Sequence, residues 1–400
     1  MNIYWIDPVN SDAQFLNLMT YSLAQLGVQV NVRSQKREIF RPPHEVKWVN
    51  FGSLGTIQQS IACGWQRYAV ASFYLFDWLR AIRWIVRLQK RGPILITTNL
   101  RIPAIDTLAL WIIRRVGIIP VIICHKPHPN FYKRHDLKRA KLYRPFFHLA
   151  GKILVMTDYT RKLLTSYYNL PFDRFKLFPH PHFTDYLNRY EPDVCLLDRL
   201  ITWSEGHPVI GLISNYNAEH GFDNFFRCLP FLLRLIPKIK ILICSNNSKN
   251  NLSIIKKFET IIENAGFTDE QRYIHFGSYS YPELLSYLKV CSIIVIPYHW
   301  ATQSGVIPLA SGFGIPVVTT NVGGLPEMVA QGISGEVVPP NDPEAMALAC
   351  RHILDSQRYE KYCQGALNFA KNNFNPKKGA QIIIDLLNEI NHSCNNTNLI

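Results

Sequence analysis

The chain has 400 residues, 48% of them hydrophobic, and a formal net charge of +14. This length and apolar content predict two folded domains, each with its own core, and exclude a disordered chain. The excess charge is confined to residues 1–200, which hold 28 Lys and Arg against 13 Asp and Glu. The first half is therefore expected to meet an anionic partner, and charge alone leaves open a nucleic acid or a membrane surface.

The cysteines and the N-terminus bear on the cellular compartment. The nine cysteines are scattered and form no Cys-x-x-Cys pair, which argues against a zinc site and favours reduced thiols in the cytoplasm. The first residues (MNIYWIDPVNSDAQ) lack a basic segment followed by an apolar one, so no secretory signal is expected.

The first half alternates predicted strands and helices, which is typical of a doubly wound α/β domain. The predicted elements are a strand at 2–6, a helix at 15–26, a strand at 28–32, a helix at 65–88, a strand at 94–98, a helix at 105–116, and strands at 118–124 and 153–156. Residues 36–47 are predicted to form a basic loop interrupted by prolines.

The helix at 65–88 carries Arg80, Arg83 and Arg87 at helical spacing among aromatic side chains. Two interpretations stay open: a domain helix with a solvated arginine edge, or a helix lying on an anionic bilayer, where Arg and Trp favour the interface. Charges interrupt it too often for a transmembrane span.

A denser basic cluster follows in the chain, and its members are Lys133, Arg134, Lys138, Arg139, Lys141 and Arg144. It lacks the regularly spaced aromatic residues and the module patterns of nucleic-acid-binding proteins, so no nucleic-acid partner is expected. It can form a solvated helix face, or it can face lipid phosphates or a pyrophosphate-linked acceptor.

The second half begins with a charged segment at 184–206, predicted to be the linker between the domains. The elements predicted after it are strands at 209–214, 239–244, 272–276, 291–296 and 315–320, helices at 222–235, 282–288 and 307–313, a helix from 342 or 343, and a long helical region to about 390 with a disordered tail.

Residues 297–327 (PYHWATQSGVIPLASGFGIPVVTTNVGGLPE) organise this half. Ser304 and Gly305 stand where a helix begins after a strand, and Gly323 and Gly324 form a turn after the next strand. A helix start offers unpaired N–H groups, glycine permits close backbone approach, and ligands collect at the carboxyl ends of parallel strands. The pattern favours an anion site, although the spacing alone fits an ordinary strand–helix–strand unit equally well.

These residues resemble the donor-binding core of GT-B glycosyltransferases of the family-4 type (glycosyl transferases group 1). Residues 314–318 (GIPVV) and 322–327 (VGGLPE) match a family motif, and residues 332–335 (GISG) with 338–340 (VPP) continue it. The resemblance implies a GT-B fold, in which two Rossmann-like doubly wound domains face a cleft.

Two departures mark a divergent branch of that family. Ala301 and Leu309 stand where many members carry a pair of glutamates, and Asn215 and His220 stand where members carry an arginine and a lysine for the donor diphosphate. The resemblance implies the following donor-binding set: Asn215, His220, Ser278, Tyr298, Gln303, Ser304, Gly305, Gly323, Gly324 and Glu327.

Three histidines are candidates for the cleft. The turn after the strand at 118–124 resembles the family's "strand, then His-[Asn/Asp]-x-x-Pro" turn, which implies that His125 hydrogen-bonds a donor hydroxyl or assists proton transfer. His128 in the same turn, and His180 in a turn like the family's "Pro-His-Gly", are the acceptor-side candidates. Each is also compatible with a loop histidine that has no ligand.

The resulting prediction is a metal-independent, retaining hexosyltransferase. It has an acceptor-binding domain at 1–190, a nucleotide-sugar domain at 207–375, and at 376–400 a C-terminal helix that returns to the first domain, with a disordered tail. It needs no cofactor, because no Asp-x-Asp motif is present to hold a metal. The expected partners are a nucleotide sugar, a glycan or lipid-linked acceptor of surface polysaccharide synthesis, and an anionic membrane surface, in the cytoplasm or at the inner face of the membrane. The alternatives are a GT-B-like binding or scaffold protein without catalysis, and a nucleotide-sugar epimerase.

Overall fold

The computed structural model describes residues 1–7, 13–34, 46–50, 66–88, 92–97, 102–125, 141–245 and 252–397. The chain forms two compact units. Unit 1 combines Met1–Pro179 with Pro376–Ile400, and unit 2 is His180–Asn375. Each is built on a parallel sheet, so the predicted two-domain α/β architecture is confirmed.

The sheet of unit 1 has the strand order β3-β2-β1-β4-β5-β6-β7. Its strands are β1 Asn2–Asp7, β2 Gln29–Ser34, β3 Val46–Asn50, β4 Gly92–Thr97, β5 Ile118–Cys124, β6 Lys152–Val155 and β7 Phe175–Leu177. The central strands β4, β5 and β6 are short runs rich in isoleucine, valine and leucine, as expected of a parallel sheet covered on both faces.

Helices cover both faces of this sheet. Those of the first part are α1 Ala13–Gln25, α2 Gln66–Leu88, α3 Pro103–Arg115, α4 Arg144–Leu149 and α5 Asp158–Tyr168, with 3-10 turns at Lys141–Tyr143 and Phe172–Arg174. The helices α2, α3 and α4 share one core cluster with one sheet face. On the other face, α1 packs beside the C-terminal helix, Pro376–Thr397.

The sheet of unit 2 has the strand order β10-β9-β8-β11-β12-β13. Its strands are β8 Val209–Ile213, β9 Lys240–Ser245, β10 Arg272–Phe276, β11 Ile293–Ile296, β12 Val317–Thr320 and β13 Gly335–Val338. Its helices are α6 Thr184–Leu187, α7 Val194–Ser204, α8 Phe222–Leu235, α9 Leu252–Asn264, α10 Tyr281–Val290, α11 Val306–Gly312, α12 Pro343–Ile353 and α13 Tyr359–Asn373, with 3-10 turns at Asp269–Gln271 and Leu325–Met328.

The strand order of unit 2 reverses direction at β8. The chain proceeds from β8 to β9 and β10 on one side, then crosses to β11 on the other side. The loops that leave β8 and β11 therefore diverge in opposite directions at the carboxyl edge of the sheet. Such a switch point is where open α/β sheets bind ligands.

The predicted linker at 184–206 is wrong, because this segment is largely helical and packed. Asp193 caps α7 by accepting a hydrogen bond from the N–H of Leu196 at 2.9 Å, and Leu196 and Leu200 bury one side of the helix. The hydroxyl of Ser286 in α10 donates to the carbonyl of Asp193 at 3.0 Å. The division between the units therefore falls at Pro179 and His180, not near residue 190.

Two further predictions for unit 1 differ from the structure. The C-terminal helix continues to Thr397, past the end predicted near 390, and buries Ile383 and Leu387 in the cluster that holds Phe15 and Met19. Strand β3 lies where the end of the predicted loop at 36–47 was expected. The rest of that loop is outside the described residues.

Candidate functional site

A hydrogen-bonded group of side chains occupies the switch point of unit 2. The hydroxyl of Tyr298, just after β11, lies 2.9 Å from Ser214 Oγ at the end of β8, and Ser214 Oγ lies 2.7 Å from His220 Nδ1. The side chain of Ser304 also hydrogen-bonds to the Tyr298 phenol. We call Ser214, His220, Tyr298 and Ser304 the polar hub.

The polar hub keeps its tyrosine neutral. Tyr298 is 4% exposed, and the imidazole of His220 stacks on its ring with centroids 4.3 Å apart and planes 6° apart. Burial raises the pKa of Tyr298, and the hydrogen bonds from Ser214 and Ser304 offset only part of that rise. The phenol is therefore available as a hydrogen-bond donor at neutral pH.

The loop after β8 fixes the orientation of His220. The side-chain oxygen of Asn217 accepts from the N–H groups of Glu219 and His220 at 2.9 and 3.0 Å. The Nδ1 atom of His220 lies 2.7 Å from the carbonyl oxygen of Asn215. Because a carbonyl oxygen can only accept, this contact places a hydrogen on Nδ1 and makes Nε2 the acceptor of the neutral ring.

Two glycines in the left-handed region hold the loop after β11 from both sides. A Cβ on Gly221 (φ +62°) would lie 1.8 Å from the carbonyl oxygen of Pro297, and a Cβ on Gly323 (φ +56°) would lie 1.8 Å from that of Ala301. Thr320 Oγ1 donates to the Tyr298 carbonyl at 2.6 Å. The backbone that carries Tyr298 is therefore set by close contacts that only glycine permits.

The start of α11 lies beside the polar hub and beside His180. The hydroxyl of Ser304 accepts from the N–H of Val306 at 3.3 Å, and the N–H of Ser304 points to Met328 Sδ at 3.4 Å. The imidazole edge of His180 lies 3.4 Å from the position a Cβ on Gly305 would take. His180 is 2% exposed and belongs to unit 2, although the predicted boundaries assign it to the first domain.

The structure brings most of the predicted donor residues to one edge of one sheet. His220, Tyr298 and Ser304 belong to the polar hub, Asn215 joins it through its backbone carbonyl, and Gly305 and Gly323 adjoin the same loop. The N–H of Gly324 donates to the carbonyl of Ala301 at 3.1 Å.

Other predicted donor residues lie outside the polar hub. Ser278 and Glu327 are exposed, the first in the loop after β10 and the second in the turn after β12. Gln303 is half-buried in the loop before α11. Their roles in donor binding stay predictions.

Of the two histidine candidates in unit 1, the structure describes only His125. His125, at the end of β5 in unit 1, is 4% exposed and packs edge-to-face on Phe15 with ring centroids 4.3 Å apart. His128 lies outside the described residues, as do Lys133, Arg134, Lys138 and Arg139 of the basic cluster.

Sequence reasoning missed several side chains that shape the site. Ser214 was predicted only as the last residue of a strand, and Asn217 only as part of a loop. A second pair was also missed: His299 Nε2 donates to Asp223 Oδ1 at 2.7 Å, because the Asn224 amide donates to the other ring nitrogen at 3.3 Å. The feature of the sequence that could have identified these residues is their position, since each follows a strand that ends at the switch point.

The loops of the site carry no fixed positive charge. Residues 214–221, 297–305 and 320–327 contain neither Lys nor Arg. Within the described residues, no group of three or more His, Cys, Asp and Glu side chains is placed to hold a metal ion. No helix in the described part of the chain is long and apolar enough to cross a membrane.

Solved structures share the fold of this chain. The chain superposes with a TM-score of 0.74 on sucrose-phosphate synthase from Thermosynechococcus elongatus, at 15% identity, covering 98% of this chain and 100% of that one. It superposes on Anabaena HepE in complex with UDP with a TM-score of 0.68, at 14% identity, covering 97% and 100%. These similarities show that the chain has the GT-B fold.

Sequence comparison then relates unit 2 to a family. Residues 207–356, which contain the whole polar hub, match the family model of glycosyl transferases group 1, so the resemblance predicted from the motifs is confirmed for this part of the chain. It is 32% identical over 157 residues to the D-inositol 3-phosphate glycosyltransferase of Corynebacterium urealyticum, covering 38% of this chain and 36% of that relative. It is 29% identical over 143 residues to the glycogen synthase of Mycobacterium tuberculosis, covering 36% and 33%. The matches thus span about a third of the length of these curated relatives.

Proposed function

We propose that this chain transfers a sugar from a nucleoside diphosphate sugar to a glycan or lipid-linked acceptor in surface polysaccharide synthesis. The family match supports transfer of a sugar, because it falls on the unit that holds the polar hub. The solved HepE complexes, which contain UDP or UDP-glucose, make a uridine nucleotide the first donor to test.

The observation that carries the proposal is the polar hub at the switch point. Three hydroxyl groups and an imidazole converge there from the end of β8 and the loops after β8 and β11, and the contacts of Gly221 and Gly323 fix the backbone of these loops. We assign the donor diphosphate to this group, with Ser304 and Tyr298 as hydroxyl donors and protonated His220 as a charged donor. Because the loops lack Lys and Arg, hydrogen bonds replace fixed charges in this assignment.

The finer expectations complete the proposal. Transfer proceeds without a metal ion and with retained anomeric configuration, the backbone near Ser278 reads the nucleotide base, and His125 serves the sugar. The protein works in the cytoplasm, where nucleotide sugars are made. Asn215, Gln303, Gly324 and Glu327 complete the donor site.

Calorimetry with UDP, GDP, ADP and their sugar conjugates tests the donor site. The double variant Ser304→Ala/His220→Ala should bind the preferred nucleotide about 100-fold more weakly, because each hydrogen bond to a charged group contributes about 1.5 kcal/mol or more. The matched control is Ser204→Ala/His207→Ala, which removes the same two residue types before β8, at the opposite edge of the sheet. Equal loss of affinity in both double variants would overturn the assignment.

Release of nucleotide from the bound sugar conjugate tests catalysis separately. We expect turnover when glycan or lipid-linked acceptors are added to the wild-type protein. Nucleotide binding without any hydrolysis or transfer would instead support the non-catalytic binding protein.

A further inference from the structure

The outward side of α2 combines arginine and apolar side chains. Phe76, Leu79 and Val86 are 56, 46 and 46% exposed, and Arg80, Arg83 and Arg87 are exposed among them. At 100° per residue these six positions span an arc of roughly 120°. The face that points away from the core thus presents apolar groups and cations together.

The neighbouring helix α3 repeats this composition. Leu108 and Trp111 are 45 and 46% exposed, and Arg114 and Arg115 are exposed beside them. The guanidinium of Arg115 lies over the Trp111 ring at 5.0 Å, as that of Arg80 lies over the Phe76 ring at 5.6 Å. Arginine stacked on an exposed aromatic ring keeps its charge in water while its neighbours stay apolar.

Neither helix carries an exposed acidic side chain beside these cations. The only carboxylates of α2 and α3 are Asp77 and Asp106, which are 3 and 0% exposed. Asp106 accepts hydrogen bonds from the Tyr74 hydroxyl at 2.6 Å and from Trp78 Nε1 at 3.0 Å. The same carboxylate therefore ties α2 to α3 and is withdrawn from the surface.

The two helices lie side by side on one face of the sheet, so their exposed sides form one surface. We call it the basic-apolar face. The 3-10 turn next to α3 extends it with Lys141 and Leu142, both exposed. A chain that was soluble on all sides would not be expected to gather exposed apolar groups in this way.

The opposite side of the same unit provides a comparison. The C-terminal helix exposes Lys377, Lys378, Asp385 and Glu389, and it leaves no large apolar side chain exposed among its described side chains. The charge there is mixed, as on an ordinary solvated surface. The basic-apolar face therefore differs in composition from the C-terminal helix on the other side of the sheet.

We propose that the basic-apolar face docks unit 1 on an anionic lipid bilayer. Arginines attract phosphate headgroups of lipids, and Phe76, Leu79, Leu108 and Trp111 enter the interface between headgroups and acyl chains. A nucleic acid would match the charge but not the exposed aliphatic side chains, which have no place against a phosphate backbone. The helices lie on the membrane and do not cross it.

Vesicle co-sedimentation tests this docking with the full chain. Wild type should bind phosphatidylcholine vesicles that contain phosphatidylglycerol and should not bind phosphatidylcholine alone. Each arginine near an anionic surface strengthens binding about fivefold, so Arg80→Gln/Arg83→Gln/Arg87→Gln should weaken it about 100-fold. Leu108→Ser/Trp111→Ser should also weaken it, and its residual binding should vanish as salt shortens the Debye length.

The matched control is Arg199→Gln/Arg234→Gln/Arg351→Gln, which removes the same charge from exposed positions of unit 2. It should bind vesicles as wild type does. Equal weakening by both arginine triples would show that net charge acts without a docking surface, and binding by none of the proteins would overturn the proposal. Tighter binding to a fluorescent oligonucleotide than to the vesicles, lost in the α2 triple, would assign the face to nucleic acid instead. The variant Arg80→Gln/Arg83→Gln/Arg87→Gln should bind nucleotide in calorimetry with wild-type affinity. The membrane docking and the assignment of the donor site are therefore tested independently.

Discussion

Replacing Gly221 or Gly323 by alanine should disrupt the donor site more than the same change at other left-handed glycines. Both residues have positive φ, and both press on the backbone of the loop after β11. Gly206 (φ +72°) and Gly332 (φ +74°) belong to the same unit and share the left-handed conformation, but a Cβ on either would meet nothing within 4 Å. The two pairs therefore differ only in the close approach.

The structure gives the size of the difference. Alanine in the left-handed region costs about 1–2 kcal/mol wherever it stands. A Cβ on Gly221 would lie 1.8 Å from the Pro297 oxygen, whereas real Cβ contacts are essentially never under 3.0 Å, so the two loops must part by about 1 Å. We expect about 2–5 kcal/mol lost at Gly221, and donor affinity reduced about 100-fold, because Tyr298 is the next residue of the displaced loop.

Urea unfolding and nucleotide calorimetry on the four alanine variants measure these effects. All four lie in unit 2, so the same unfolding transition is compared. Gly206→Ala and Gly332→Ala should lose some stability and keep wild-type affinity for the nucleotide. If Gly221→Ala unfolds at the same urea concentration as Gly206→Ala and binds nucleotide as well, the close approach does not position the polar hub.

Three further predictions concern stability, pH and metal. Asp106→Ala should lower the unfolding free energy of unit 1 by about 3 kcal/mol or more, because the buried donors of Tyr74 and Trp78 lose their acceptor. Asp106→Asn keeps an acceptor oxygen and should lower the unfolding free energy less. Equal losses in urea unfolding of the two variants would contradict this account. Burial lowers the pKa of His182 below its usual value of 6.5, so the unfolded chain takes up a proton first as the pH falls. The stability of unit 2 should therefore decrease as the pH drops through 6.5 toward the folded pKa, and thermal unfolding of His182→Asn should show a smaller decrease. Excess EDTA should leave nucleotide affinity unchanged in calorimetry, and a loss restored by Mg²⁺ would disprove metal-independent binding.

Much of the sheet architecture could be predicted because parallel strands are short apolar runs bounded by turn residues. The strand at 118–124 and the helix at 222–235 were predicted with the bounds observed. The helix at 252–264 was missed, although Ile255, Phe258 and Ile262 recur in it at helical spacing. Helix α7 was mistaken for a linker, since its two core residues Leu196 and Leu200 are one turn apart and its other positions are mostly exposed.

Some residues of the candidate site could likewise be predicted, and its geometry could not. Ser304 was predicted because it stands where a helix begins after a strand, whereas His220 and Tyr298 were predicted from the resemblance to the family's donor-binding segments. Their mutual geometry was not predictable, because stacking of His220 on Tyr298 joins residues far apart in the chain. The close approach of Gly221 to Pro297 could not be predicted either, because it depends on the strand order that brings the two loops together.

The placement of unit 2 within unit 1 affects the order in which the chain can fold during synthesis. Residues 180–375 are complete before the C-terminal helix is made, so unit 2 can close its core while unit 1 cannot. Until that helix arrives, the sheet face around Phe15, Met19 and Phe178 lacks the cover of Ile383 and Leu387. The apolar face of the N-terminal sheet therefore stays partly uncovered until the last helix is synthesised. Removing that helix should cause aggregation through unit 1, whose sequence begins 375 residues before the helix does.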